Sequence, residues 1–194
     1  MTADYATPHV ALIVEGPGDH GAAPRLVRSY LHSRNEFRDI LGDPLSAKGL
    51  GNLTVAGGIE KFVNIATARP GCVAVVVIVD SDQQCPVEVG VALKTRIEWS
   101  RVPVEVCVAD RDFEDWLYAS VESFGIEGSP VYHESHRGAT ELGSLLHGGY
   151  KKTVDQPRLA SKVDPNLARG RSASLDRLFR KIDSAIELIE EGNS

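Results

Sequence analysis

The segment Val73–Asp82, Val-Ala-Val-Val-Val-Ile-Val-Asp-Ser-Asp, constrains the fold of this chain more than any other. It is a continuous apolar run rich in β-branched residues. With no polar alternation, both faces of the run must be covered, as in an inner strand of a parallel sheet with helices on each side. Such strands carry their chemistry just past their C-terminal ends, where Asp80 and Asp82 stand. In extended backbone, side chains at i and i+2 point the same way. Two converging carboxylates repel unless something positive lies between them, and a divalent cation with oxygen ligands meets that need. Asp and Ser after a strand are also ordinary turn formers and helix caps, so the pair alone leaves both readings open.

The flanking sequence supplies the rest of an α/β layer. His9–Val14 predicts a short apolar strand that runs into Glu15-Gly16-Pro17-Gly18-Asp19, where Gly and Pro break it and Asp19 is placed to cap a helix over about Gly21–Ser33. Asn35–Gly51 predicts a loop with at most one short helix. Leu53–Val55 reads as a second strand, and Ile59–Ala68 has helical spacing. After Asp82, Val87–Trp99 reads as an amphipathic helix with Val87, Val91, Leu93 and Ile97 among its apolar positions. Val104–Val108 is another buried strand, and Phe113–Ser120 a short helix. Gly- and Ser-rich sequence follows to Gly149, with one helical stretch near Ala139–His147. Ser174–Glu191 is a long amphipathic helix that Ser172 or Ser174 can cap. The alternation gives a three-layer α/β fold with a mostly parallel four-strand sheet. We expect a core over residues 1–120 and a helical extension over 121–194, packed as one compact unit.

The 194 residues suffice for one core of ordinary size, with 42% hydrophobic and 25% charged residues. No stretch has the apolar length of a membrane span, and Met1–Pro8 lacks the pattern of a signal peptide. Cys72, Cys85 and Cys107 form no framework, which fits a cytoplasmic location with Cys72 and Cys107 as buried thiols. The net charge of −6 hides a split: −8 over residues 1–136, +6 over 137–181 and −4 beyond. A basic segment beside an acidic one is what a phosphate backbone would need, and equally what a solvated helix face looks like.

In a parallel sheet all C-terminal strand ends share one edge. Glu15 ends the first strand, Asp80 and Asp82 the central one, and Asp110, Asp112 and Glu114 follow the last. An edge so negative is costly without cations. This arrangement resembles the Toprim (topoisomerase–primase) domain, whose pattern is a glutamate in a Glu-Gly turn after the first strand and an Asp-x-Asp after a later one. Within that superfamily, the Glu-Gly-x-x-acid spacing and Phe113-Glu114-Asp115-Trp116 are similar to stand-alone bacterial proteins related to the overcoming-lysogenization-defect (OLD) nucleases. Tyr150-Lys151-Lys152 and the Ser174 helix are similar to the C-terminal part of a small family in that group.

The resemblance implies roles residue by residue. Glu15 matches a glutamate for metal binding or general acid–base work, Asp19 the second acid of the turn, and Asp80 and Asp82 the metal-ligand pair. Glu114 would be a further ligand or would orient one. Lys151 or Lys152 would neutralise charge in the transition state. Many OLD-type nucleases carry a fused ATPase; here such a partner would act in trans, in defence against foreign DNA. Two Mg²⁺ or Mn²⁺ ions need about four or five carboxylates, and Glu15, Asp19, Asp80, Asp82 and Glu114 supply five. The expected activity is therefore metal-dependent phosphodiester hydrolysis on nucleic acid, DNA foremost. The alternative is a non-catalytic Toprim module that docks on an ATPase, and a homodimer is compatible with either.

Other readings fit less well. Gly16-Pro17-Gly18 lacks the Gly-Lys-Ser/Thr ending of a phosphate loop. His133 and His136 have no Cys or third His at zinc spacing. A glycosyltransferase Asp-x-Asp leaves Glu15 unexplained, and in aspartate-nucleophile phosphatases the pair usually follows the first strand.

Overall fold

The computed structural model describes residues 7–146 and 149–191. Most of Met1–Pro8, and His147 at the end of the expected Ala139–His147 helix, lie outside the described residues. Four strands, β1 (His9–Val14), β2 (Leu45–Ser46), β3 (Cys72–Asp80) and β4 (Val104–Ala109), form one sheet in the order β2-β1-β3-β4. Every pairing is parallel. The sheet is the expected α/β layer, built by crossover helices as parallel pairing requires.

Alternate residues of the strands feed two cores. Val10, Leu12, Val14, Ala74, Val76, Ile78, Cys107 and Ala109 face one side; Ala11, Ile13, Val75, Val77, Val79, Val104 and Val108 face the other. The first side is covered by α1 (Pro17–Ser33) and by the C-terminal helices α7 (Lys152–Ala160), α8 (Pro165–Arg171) and α9 (Ala173–Glu191). There Tyr30 of α1 stacks on Phe179 of α9, with ring centroids 4.0 Å apart. The second side is covered by α2 (Leu50–Thr54), α3 (Gly58–Thr67) and α4 (Pro86–Thr95). The chain leaves β1 toward one face and β3 toward the other, so β1 and β3 flank the topological switch point, the crevice where open α/β sheets place their sites.

Several expectations need correction. Leu53–Val55 is not a strand. Leu53 is buried while Val55 is 57% exposed, and one buried residue per turn is a helical pattern, met here by α2. The second strand is Leu45–Ser46, two residues inside the predicted loop. The first helix begins at Pro17, four residues early. Pro at the first helical position brings a preset φ and needs no N–H there, and Asp19 acts from inside the helix, not as its cap: Gly16 is the N-cap and its amide donates to Asp19 Oδ2 at 2.9 Å. The helix expected over Val87–Trp99 spans Pro86–Thr95, and of its apolar positions Leu93 is buried while Val87 and Val91 are 71% and 59% exposed. The third layer is also richer than expected, because α7 and α8 were not anticipated.

Other expectations hold. α5 (Phe113–Tyr118) and α6 (Gly138–Leu145) lie where helices were predicted. Ser172 caps α9, its Oγ accepting from the Leu175 amide at 3.3 Å. Trp116 is buried and donates to Ser174 Oγ at 3.0 Å. Cys107 is a buried free thiol, whereas Cys72 is half-buried. Among the described residues no helix is long and apolar enough to cross a membrane.

Candidate metal centre

Glu15 leaves the end of β1 and Asp80 ends β3, so both stand in the switch-point crevice. Glu15 Oε2 accepts from the Asp80 amide at 3.1 Å, which fixes the two strand ends to each other. Asp19, in the first turn of α1, is buried with two hydrogen-bond donors: the Gly16 amide on Oδ2 and Gln156 Nε2 on Oδ1 at 2.8 Å. Glu114, in the first turn of α5, accepts from the Tyr150 hydroxyl at 3.1 Å.

The centre of this group is a cation from the chain itself. Lys152, at the start of α7, places Nζ 3.6 Å from Asp80 Oδ2, 3.6 Å from Glu114 Oε2 and 3.9 Å from Asp19 Oδ1. Its ammonium is held well above the usual lysine range: burial opposes the charge, and Asp19, Glu114, Asp80 and Glu15 together outweigh it. Three of the carboxylates are destabilised in turn. Asp80 is pushed up to about 8, first by burial, then by Asp19, with Lys152 pulling the other way. Burial likewise raises Glu15 and Glu114. Four carboxylates around one ammonium leave a net negative site in a low-dielectric crevice.

α7 reaches the crevice because glycine lets it. A Cβ on Gly18 would lie 2.6 Å from Lys152 Cγ and would also strike Gln156 Oε1; one on Gly21 would lie 2.8 Å from Pro157. The two glycines, three residues apart on α1, form a flat strip on which α7 lies at close range.

The structure does not bring every candidate to this point. The strand ends at Asp80, and Asp82 is exposed in left-handed backbone with φ of 51°. The i, i+2 alignment therefore fails, and Asp82 adds negative potential toward Glu15 and Arg137 instead. Asp112 caps α5 and pairs with Arg137 at 3.0 Å, and the exposed Asp110 lies 3.7 Å from Arg177. Lys151 precedes α7 with an exposed side chain, while its amide donates to Asp155. Gln156 and Tyr150 were missed as site residues. Tyr150 stood in a highlighted motif, but nothing local marks Gln156.

The basic segment is occupied as well. Arg137–Asp112, Arg171–Glu122, Arg177–Asp110 and Lys181–Glu105 join it to the acidic first part of the chain. Its charge thus seats the C-terminal helices on the sheet before it offers anything to a phosphate backbone. His133 and His136, with ring centroids 4.8 Å apart, sit in an exposed loop.

Among the described residues, no three His, Cys, Asp or Glu side chains are drawn close enough to form a coordination shell. The donor set nonetheless fits a hard divalent ion. It is all oxygen and excess in negative charge, and it converges on a position already held by a stand-in cation, the Lys152 ammonium.

No protein-family model and no curated protein matches the chain. Among solved structures it is similar to the C-terminal region of the Burkholderia pseudomallei OLD protein, with a TM-score of 0.51 and 14% identity, over 95% of this chain and 98% of that one. A likeness at that identity speaks for the fold alone, a Rossmann-like α/β sandwich around a parallel four-strand sheet.

Proposed function

We propose that the crevice between β1 and β3 is the centre of a divalent-metal-dependent phosphodiester hydrolase acting on nucleic acid, DNA foremost. One observation carries the reading: Asp19, Asp80 and Glu114, from three separate elements, place oxygens 3.6–3.9 Å from one cation position, in a crevice that Glu15 borders through its bond to the Asp80 amide. Buried carboxylates that repel one another destabilise a fold, and sites that bind charge are where such an arrangement is expected. The distant likeness to an OLD protein and the Glu-Gly turn resembling Toprim domains agree with it.

Glu15, Asp19, Asp80 and Glu114 would hold Mg²⁺ or Mn²⁺, with Asp82 at the rim. A bound ion would act as a Lewis acid on the phosphoryl oxygens and lower the pKa of water. The chain's own groups do the rest. Glu15, at the end of β1 beside the Asp80 amide, would either hold the ion or take a proton from an attacking water, the one role excluding the other at the same oxygen. Lys152 places a permanent positive charge against oxygens that gain negative charge as phosphorus becomes five-coordinate. Gln156 and Tyr150 hold Asp19 and Glu114 in orientation.

A second reading rests on the same lysine. With Lys152 already among the carboxylates, the cluster is partly neutralised from within, as a Toprim-type module that docks on an ATPase and cuts nothing would allow. Cleavage of supercoiled plasmid with Mg²⁺, Mn²⁺ or EDTA, alone and beside an ATPase from the same genome, separates the two. Metal-dependent nicking that Asp80→Asn abolishes supports the hydrolase. Metal binding without cutting under every condition refutes it and leaves the module.

A further inference from the structure

β4 is the edge of the sheet opposite β2. The Val75 amide donates to Pro103 O and the Ser81 amide to Ala109 O, so the odd-numbered residues of β4 turn their backbone groups toward β3. The even-numbered residues, Val104, Val106 and Val108, therefore turn theirs outward. Lys94 Nζ covers the carbonyl of Val104. The outward groups of Val106 and Val108 open into a groove of about 360 Å³ between α4 and α9.

The two flanks of that groove differ in chemistry. On the α4 side stand Val87 and Val91, one helical turn apart and both exposed, beside Val106 and Val108. On the α9 side stand Arg177 and Lys181, also one turn apart. Lys94 adds a third cation at one end; Glu105, the single acid that lines the groove, lies 3.6 and 3.2 Å from Lys94 and Lys181, and Asp110, outside the lining, lies 3.7 Å from Arg177, so three cations face two acids and the flank stays net positive.

We infer that the β4 edge is a docking site for an extended segment of a partner protein, added as a fifth strand, whose side chains alternate between apolar and acidic. The alternation follows from geometry. Successive side chains of an added strand point to opposite faces of the sheet. One set then meets Val87 and Val91, and the other meets Arg177 and Lys181. Backbone bonds to Val106 and Val108 supply affinity, and the two unlike flanks supply direction and selectivity. A second copy of this chain fits less well, because a twofold axis at β4 would set the basic flank against its own duplicate. An oligonucleotide would use the cations but leave the backbone edge and the valines unmatched. None of the groove residues belongs to the acidic crevice, so this inference stands apart from the proposed hydrolase.

The test is binding of a fluorescein-labelled octapeptide alternating valine and glutamate, followed by fluorescence anisotropy and by amide hydrogen exchange. The same peptide with lysine for glutamate serves as control. The acidic peptide is expected to bind and to slow exchange at Val106 and Val108, and the lysine peptide to bind at least about tenfold more weakly. Arg177→Glu with Lys181→Glu should reverse that preference. Val106→Pro should abolish binding, because it removes an outward N–H and no bond of the sheet. The charge reversal also breaks the pairs with Asp110 and Glu105, so Val87→Lys with Val91→Lys, on the exposed face of α4, is the variant that keeps the test alive if the others do not fold: it leaves both pairs in place and should weaken the acidic peptide at its valines. Failure of the acidic peptide to protect those two amides overturns the inference, whether the groove then proves to be filled by a second copy, as a concentration-dependent dimer with both amides already protected, or to hold a single-stranded oligonucleotide.

Discussion

Replacing Asp80 by Asn should stabilise the metal-free protein while removing the activity proposed for it. The Asp80 carboxyl is pushed from the usual 3.8 up to about 8, chiefly by burial and then by Asp19. An acid whose folded pKa lies above its unfolded one costs nothing below the unfolded value. The cost grows as pH rises between the two values and is constant above the folded one. At pH 7 it is on the order of 4 kcal/mol. Asn keeps the shape of the neutral acid and carries no such cost. That cost is already net of the pull of Lys152, which lowers the Asp80 value. The variant should therefore gain up to about 4 kcal/mol at pH 7 in EDTA, and the gain should be about 3–4 kcal/mol larger at pH 8 than at pH 5. Urea unfolding at the two pH values measures it directly. Saturating Mn²⁺ should narrow or reverse the order, because a ligand that binds only the folded wild type stabilises it by mass action. A variant that is less stable than wild type by the same amount at both pH values would refute the reasoning, since Asp80 would then be an ordinary ionised partner of Lys152.

Three further outcomes follow from the same geometry. Lys152→Met should lower the melting temperature in EDTA, and Mg²⁺ should restore part of the loss by taking over the cation position; a melting curve that Mg²⁺ does not move would speak against a shared position. Gly18→Ala should cost about 1–3 kcal/mol by pushing α7 off α1, whereas Gly143→Ala, with nothing within 4 Å of the added carbon, should be neutral or stabilising by up to about 1 kcal/mol. Equal effects at the two sites in chemical denaturation would show that α7 does not rest on the glycine strip. Arg96→Ala should lose about 2–3 kcal/mol. Its guanidinium binds the carbonyls of Leu53, Thr54 and Val55 and both oxygens of Glu60, and protection of the α2 amides in hydrogen exchange should fall with it.

The strands that carry Glu15 and Asp80 were legible because each is an apolar run long enough to demand burial on both faces. β2 was not, since two residues hold no pattern; its place is set by Ala47, whose amide binds Val14 O, and by the pairing with Ile13 and Val14. α7 was hidden for a related reason. It contains Pro157, exposes Val154 and buries Asp155 and Gln156, so its sequence shows no apolar stripe. Val87 and Val91 read as apolar positions of an amphipathic helix yet stand exposed, because periodicity reports that a face is apolar, not what lies against it. Asp82 misled because the i, i+2 rule assumes that extended backbone continues, and the left-handed turn at Asp82 ends it.

The choice between Lys151 and Lys152 shows where local sequence stops being informative. The two are adjacent and chemically alike, so composition and spacing treat them equally. What separates them is the rotation of α7 about its own axis, fixed by the Gly18–Gly21 strip and by Gln156, one turn beyond Lys152 on the same face, where it binds Asp19. That face directs Lys152 into the crevice, while the Lys151 amide is spent on Asp155 at the start of the helix. The position of the cation among these carboxylates is thus decided by packing between segments more than 130 residues apart. Any change that rotates α7 by a fraction of a turn should move that charge, even with every acidic residue left in place.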